Sequence, residues 1–542
     1  MNKRRINYLV ALMMFTALGA IAAIKLSSKE KKKEVLLTSE LVRNENRDNI
    51  SQKRPNILFA ISDDQSWLHT SINGCKAVKT PIFDRLAAEG VLFTNAFGVA
   101  PQCSPNRATI LTGRNIWQLE EAGTHGSNFP KKYVTFPDIL EKSGYQIAYT
   151  GKGWGPGNWK VNGRTRNPAG PAIQKHKIKN RTNTAISNND YSANFEEFIN
   201  NREKEKPFFF WYGAHEPHRV YLKGSGVAAG KKLNSVKVPP FLPDSPEIRS
   251  DILDYLLEIE WFDSELGKML KLLKEKGELE NTIVVVTSDN GMPFPKAKAN
   301  LYEYGIHMPL AVYWPEKIKS GRVVTDLISF SDFAPTFLEI AGAKPVSKIT
   351  GKSFLNILES DKQGAVDSSR EYILAGRERH THARPNNFGY PSRAIRTQEY
   401  LYIWNLKPER WPAGNPTGSG DPEGYHDIDG SPSKTFMIEN QKKEKLLFHQ
   451  AFDKRPEEEL YNIKIDPGCM NNLAGKAEFD SIKRELKTKL KQKLTQQRDP
   501  RMLGNGDIFE SYPRYSRMRK FKGFKERGAY NPKFQVNTTK GN

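Results

Sequence analysis

Cysteine is scarce, acids are outnumbered, and long apolar stretches are almost absent from this 542-residue sequence. Its three cysteines, Cys75, Cys103 and Cys469, exclude a disulfide framework. Cys75 and Cys469 can form at most one bridge if Cys103 is reserved for chemistry, and they serve equally well as two separate buried thiols. The 61 Asp and Glu fall short of the 83 Lys and Arg, leaving a formal charge of +22. That imbalance implies an anionic partner or surface and says nothing of fold. No internal repeat is found, so the chain is not an array of stacked units. Beyond the first 28 residues no stretch is long and apolar enough to cross a membrane.

The one apolar run, Tyr8 to Ile24, follows Met1-Asn2-Lys3-Arg4-Arg5 and contains Ala17, Gly19 and Ala20. It reads as an export signal over residues 1–28, or as an uncleaved N-terminal anchor. No cysteine stands near its end, which argues against a lipoprotein. Residues 29–53 are charged, lack periodicity and form a linker. The expected location is therefore outside the cytoplasm, periplasmic or secreted, where sulfated or acidic polysaccharide is a commoner partner than nucleic acid. The C-terminal segment 501–542 has ten Lys and Arg against three Asp and Glu, mixed with Phe, Tyr and Met. Without a nucleic-acid-binding motif it reads as a strap over the folded protein, and no nucleic-acid partner is expected.

Between these ends, apolar runs of strand length alternate with helical patterns. Asn56 to Ile61, Gln146 to Tyr149, Phe208 to Tyr212, Thr282 to Thr287 and Leu310 to Tyr313 are the runs. A helix is expected over Pro81 to Ala88, with Gly90 beyond its end. Another is expected from about Glu247 to Leu273, where Ile252, Leu256, Ile259, Phe262, Leu266 and Met269 fall at spacings of three and four. Alternation of this kind predicts an α/β fold with a large, mostly parallel sheet between helices, over 54–365. From 366 to 500 the pattern changes to short strands at Glu371 to Ala375, Arg393 to Arg396 and Tyr400 to Trp404, then a helix over Glu478 to Gln497. This predicts a smaller C-terminal α+β subdomain.

Polar motifs follow the strands. Asp63-Asp64 comes after the first, and Gly151-Lys152-Gly153-Trp154, His215-Glu216-Pro217-His218-Arg219 and Ser288-Asp289-Asn290-Gly291 follow later ones. Ligands in open α/β sheets bind beyond the C-terminal strand ends, and oxygen-rich groups there suit a hard cation. Taken singly, each motif also reads as turn chemistry or a solvated side chain. Cys103-Ser104-Pro105-Asn106-Arg107 runs into a short helix ending at Gly113, which sets Cys103 at a helix N-terminus, a place that favours anions.

The order and spacing of these motifs resemble the type I sulfatases of the alkaline phosphatase superfamily, over about Pro55 to Pro500. The stretches 214–219, 241–246, 293–295 and 300–302 are similar to the N-sulfoglucosamine sulfohydrolase branch and its bacterial carbohydrate-sulfatase relatives. The resemblance implies an alkaline-phosphatase-like fold and oxidation of Cys103 to formylglycine by a maturation enzyme. One hydroxyl of the hydrated aldehyde attacks sulfur, and deprotonation of the other expels sulfate, an exit that a thiol or serine lacks. It implies one Ca2+ held by Asp63, Asp64, Asp289, Asn290 and the modified Cys103. Arg107 would orient the hydrate, Lys152 and Lys298 would hold sulfate, and His215 would assist the leaving oxygen. The family histidine two positions after the lysine is Trp154 here, which leaves that role to His215, His125 or His307, or puts the alignment off by a residue or two.

Substrate contacts are expected from His218, Arg219, His380 and Arg393, with Arg377 and His382 in the same region. The basic stretch Lys160 to Arg181, with seven Lys and Arg and no acid, is expected to line the mouth or else to be a solvated loop. The leading expectation is an exported sulfatase acting on a sulfated polysaccharide or its oligosaccharides, an algal glycan such as ulvan or carrageenan, or a glycosaminoglycan. Alternatives are N-sulfoglucosamine sulfohydrolase proper, a phosphoester or phosphonate hydrolase of the same superfamily, and a non-catalytic glycan binder.

Overall fold

The expected runs become strands because they are apolar on both faces and both faces are covered. These five strands are β1 (Asn56–Ser62), β3 (Gln146–Gly151), β4 (Phe208–Gly213), β5 (Thr282–Ser288) and β6 (His307–Tyr313), and a further strand not among the expected runs is β2 (Val91–Phe97). They belong to a computed structural model that describes residues 54–345, 349–419, 423–516 and 518–519. The signal or anchor, the linker and the end of the strap lie outside the described residues. Strand order is β3-β4-β1-β5-β6-β2, and the short β7 (Arg322–Val324) and β8 (Ile328–Ser329) both pair with β2. All neighbours are parallel except around β6, which is antiparallel to β5 and to β2. The C-terminal ends of β1 to β5 therefore share one rim, and β6 starts from it.

Register levels that rim. Ser62 is opposite Ser288, Ile61 is opposite Gly213, and Gly151 is opposite Gly213. One face of the sheet carries Ile57, Phe59 and Ile61 against Ala108, Leu111, Phe136 and Phe337. The other carries Leu58 and Ala60 against Phe83, Phe195, Phe262 and Leu266. The longest helix, Pro246–Glu275, starts with Ser245 accepting from the Ile248 N–H at 3.3 Å, and its expected apolar stripe is buried. No helix among the described residues is long and apolar enough to cross a membrane.

The smaller sheet is antiparallel, in the order β12-β11-β10-β9, from β9 (Tyr372–Arg377), β10 (Ser392–Thr397), β11 (Tyr400–Asn405) and β12 (Glu458–Asn462). Leu486, Leu490 and Leu494 of the helix Asp480–Gln496 pack on it beside Leu374, Ile395, Tyr402 and Leu460. All three cysteines are free. The Cys75–Cys469 bridge does not form: Cys75 packs against the cluster that holds Ile252, Leu256 and Tyr304, while Cys469 lies in a different cluster with Tyr461 and Ile463.

One buried acid works against the fold. Glu258, in the long helix, is 1% exposed, and its Oε1 has no hydrogen-bond partner. Burial, with nearby Glu216 adding to it, pushes its carboxyl up from 4.5 to about 9. Between those values the native protein holds a proton that the unfolded chain releases, so raising the pH through this window lowers stability. Glu258→Gln is expected to gain melting temperature relative to wild type steadily from pH 5 to pH 9. Parallel melting profiles across that range would refute the assignment.

Candidate active site

Five strand ends deliver the chemistry. Asp63 and Asp64 leave β1, Lys152 leaves β3, His215 follows β4, and Asp289 and Asn290 leave β5. After β2 the chain passes through extended Gln102 into the helix Cys103–Thr112, every residue of which is buried. Gly113 ends it at φ +66, its N–H donating to the Thr109 carbonyl at 2.8 Å. Two glycines let β3 and β4 close at the rim. A Cβ on Gly151 would lie 1.9 Å from the Gly213 carbonyl oxygen, and one on Gly213 would lie 2.0 Å from that of Lys152. Asp64 holds a left-handed φ of +71, with its N–H donating to Asp289 Oδ1 at 3.1 Å. Such a conformation persists at a non-glycine residue only when neighbours fix it.

Each carboxylate of the cluster has a cation beside it. Arg107 Nε donates to Asp289 Oδ2 at 2.7 Å, Lys298 Nζ donates to Asp64 Oδ2 at 2.5 Å, and Lys152 donates to Asp63. Arg107 Nη1 also donates to the carbonyls of Lys152 and Gly153, at 2.7 and 3.1 Å. Cys103 Sγ lies among the acids, 3.4 Å from Asp63 Oδ1 and 4.0 Å from Asp64 Oδ1. Ligand atoms of Asp63, Asp64, Cys103 and Asp289 all lie within 4.8 Å of one another. Burial and the neighbouring Asp63 push the Cys103 thiol well above its ordinary value. Burial also raises Asp289, to about 6, and the Asp63 charge adds to the effect. Asp63 itself is raised by burial, but Lys152, His218 and Arg107 outweigh that and hold it well below the carboxylate range.

The donors suit a hard cation. Three carboxylates and the Asn290 amide supply oxygens, and Asn290 Oδ1 is buried without a hydrogen-bond partner. The Cys103 sulfur is the one soft donor in the set. Asn106, seen in the sequence only as part of the cysteine motif, ties the site together. Its Nδ2 donates to the Asp289 carbonyl, and its Oδ1 accepts from the Val99 N–H at 2.9 Å.

The remaining expected residues divide. His215 is exposed beside the site and its N–H donates to Tyr191 Oη at 3.1 Å. His218 Nε2 lies 3.8 Å from Asp64 Oδ2. His380 Nδ1 is 3.5 Å from Asp427 Oδ1, and its ring is 4.5 Å from that of His125. Arg219 and Arg393 require correction as substrate contacts. Arg219 is spent on Asp251, with both Nη atoms at 2.7 and 2.8 Å, and on the Pro293 carbonyl. Arg393 is 0% exposed and donates to Asp499 and Glu378. Arg377 is likewise buried against Asn300 and Asp427. His307 uses both ring nitrogens, on Glu303 and on the Thr94 carbonyl, which removes it as a proton donor to substrate. Trp154 donates through Nε1 to the Ser104 carbonyl at 3.0 Å. In the basic stretch, Arg164 and Arg166 pair with Asp138, and Lys175 pairs with Glu197, so much of its charge is met locally.

Residues near the C-terminus brace one corner. Arg514 Nη1 donates to the carbonyls of His125 and His380, at 3.1 and 2.6 Å. The Tyr515 N–H donates to the Gly126 carbonyl at 2.6 Å, and the Gly126 N–H donates to Ser104 Oγ at 3.1 Å, next to Cys103.

A family model described as "Sulfatase" matches residues 55–343. The chain belongs to the sulfatase family. A second model, "N-sulphoglucosamine sulphohydrolase, C-terminal", matches residues 296–446 of the sulfatase. An ulvan-active sulfatase of Formosa agariphila is 29% identical over 86% of this chain and 85% of its own. Human N-sulphoglucosamine sulphohydrolase is 26% identical over 85% of this chain and 94% of its own. A solved structure described as a complex with its substrate D-glucosamine-2-N,6-O-disulfate has the same fold, with a TM-score of 0.60 and 23% identity, covering 82% of this chain and 99% of that one. The sulfatase is thus a sulfuric ester hydrolase, and the motif resemblance and the family agree. Asn106→Ala leaves the Val99 N–H and the Asp289 carbonyl without their partner, at about 1–3 kcal/mol for each buried group. The variant is expected to melt lower and to lose at least about tenfold in kcat. An unchanged melting temperature would deny Asn106 its tying role.

Proposed function

We propose that this sulfatase works outside the cytoplasm and removes sulfate from a sulfated polysaccharide or its oligosaccharides, through a formylglycine made from Cys103 and with Ca2+. The observation that carries the reading is the cluster of three carboxylates about Cys103, each matched by one cation. Relatives named for ulvan and for N-sulphoglucosamine support a carbohydrate substrate. The basic N-terminal sequence followed by an apolar run supports export.

The residues then take these parts. Asp63, Asp64, Asp289 and Asn290, with the modified Cys103, would hold Ca2+, whose charge would offset the carboxylates and leave Lys152 and Lys298 for sulfate. A formylglycine hydrate at position 103 would supply both a nucleophilic oxygen and a second hydroxyl through which sulfate can leave. Arg107, about one helical turn on from position 103, holds that side of the site through Asp289 and the Lys152 and Gly153 carbonyls. Lys152 and Lys298 would meet the sulfate oxygens with positive charge, which counts for more in a site shielded from water. His215, beside β4, would assist the leaving oxygen; burial and the Lys152 charge lower its imidazole to about 4, so it is neutral in the resting site.

Purified, matured enzyme is expected to release sulfate from at least one member of a panel of ulvan, carrageenan, heparan and chondroitin oligosaccharides. Cys103→Ala should lose it by more than about a thousandfold, and Lys152→Ala by about a hundred- to a thousandfold. Chelation should remove activity, and added Ca2+ should restore it. Faster hydrolysis of matched phosphate esters would shift the assignment to phosphorus. Mass spectra of active enzyme showing only unmodified Cys103 would overturn the formylglycine.

A further inference from the structure

One carboxylate at the site matches no part of the chemistry above. Asp429 comes from the C-terminal half of the chain, and its Oδ2 lies 3.6 Å from Lys298 Nζ. That ammonium is already held more closely by Asp64, at 2.5 Å. Asp429 Oδ2 is buried and has no hydrogen-bond partner, while the side chain as a whole is 30% exposed. Ligand atoms of Asp64, His218 and Asp429 lie within 4.8 Å of one another. Asp429 therefore stands at the edge of the cluster about Cys103.

The backbone that presents it is pinned. Asp427 accepts from Arg377 at 2.8 Å, from Arg384 at 2.6 Å and from the Thr381 N–H at 3.0 Å. Its own N–H donates to the Ala413 carbonyl at 2.9 Å. Ile428 is 1% exposed, and its carbonyl accepts from Lys434. Groups held this firmly discriminate well, since little is lost in ordering them when a ligand binds.

A carboxylate cannot serve sulfate, whose oxygens it repels. Nor is it a ligand for a second cation, because the Lys298 ammonium contacts both Asp64 and Asp429. What it can take is a hydrogen-bond donor on the group that carries the sulfate. We propose that Asp429 selects the sugar: it accepts a hydrogen bond from a free hydroxyl or amino group next to the sulfated carbon, and it rejects sugars with a second sulfate or a carboxylate there. The proposal rests on the carbohydrate sulfatase reading and names the substrate class within it. Once a bound sugar covers Asp429, an acceptor left without its donor disfavours the wrong sugar, and like charge disfavours the vicinal disulfate further.

The test compares wild type, Asp429→Asn and Asp429→Ala on three probes. These are the monosulfated sugar that wild type desulfates fastest, the same sugar with a second sulfate on the adjacent carbon, and 4-nitrophenyl sulfate, which offers no donor. The ratio of kcat/KM for the monosulfated sugar to that for the aryl sulfate is expected to fall about ten- to a hundredfold in Asp429→Asn. Preference for the monosulfate over the disulfate should fall by at least tenfold in both variants. Melting curves show which variants are folded, and Asp429→Ala decides the matter if the amide variant is not. Equal losses on sugar and aryl sulfate would mean that Asp429 acts only through Lys298, which overturns the proposal, as would unchanged ratios. Failure of wild type to desulfate any sugar while it cleaves the aryl sulfate would instead remove the carbohydrate reading, and the proposal with it.

Discussion

Three buried carboxylates and three buried cations hold one another at the rim of the sheet, and the geometry around Cys103 depends on that balance. Each pair joins separate parts of the chain: Asp63 of β1 with Lys152 of β3, Asp289 of β5 with Arg107 of the cysteine helix, and Asp64 with Lys298 on the approach to β6. Removing one partner would strand a charge where water cannot reach it, a loss of several kcal/mol. Pairs of this kind add little net stability, since desolvation offsets much of their attraction. Their value lies in fixing where strand ends meet.

Much of that arrangement was legible in the sequence, for a physical reason. Strands buried on both faces are continuous apolar runs, and β1, β4 and β5 could be read directly from Asn56, Phe208 and Thr282 onward. The polar residues just past them belong to the same short stretches, so the motifs located themselves. The strands that escaped were mixed in character. β2 carries Thr94 and Asn95 at a break in its pairing with β6, and β12 reads Glu-Glu-Leu-Tyr-Asn. The reversed direction of β6 was invisible too, because a run of apolar residues does not record which way it points.

Side-chain roles were less legible where partners are remote in sequence. Arg219 and Arg393 sit in or near motifs and resemble ligands for an anion, yet Asp251 and Asp499 claim them. The basic stretch after Lys152 holds no acid of its own and draws Asp138 and Glu197 from elsewhere. Three of the seven cations in that stretch, Arg164, Arg166 and Lys175, are thus met by acids that the stretch itself does not contain. The converse holds for Asp427 and Asp429, two ordinary-looking acids in a turn-rich segment whose significance comes only from Arg377, Arg384 and Lys298 arriving beside them.

The brace made by Arg514 and Tyr515 has a consequence in time. It fixes the corner formed by His125, Gly126 and Ser104, but Arg514 follows His125 by 389 residues. At about 5–20 residues per second, a ribosome needs on the order of tens of seconds between the two. During that interval the hydrogen bonds from Arg514 and Tyr515 cannot form, so the corner beside Cys103 is braced only after every strand of both sheets has been made.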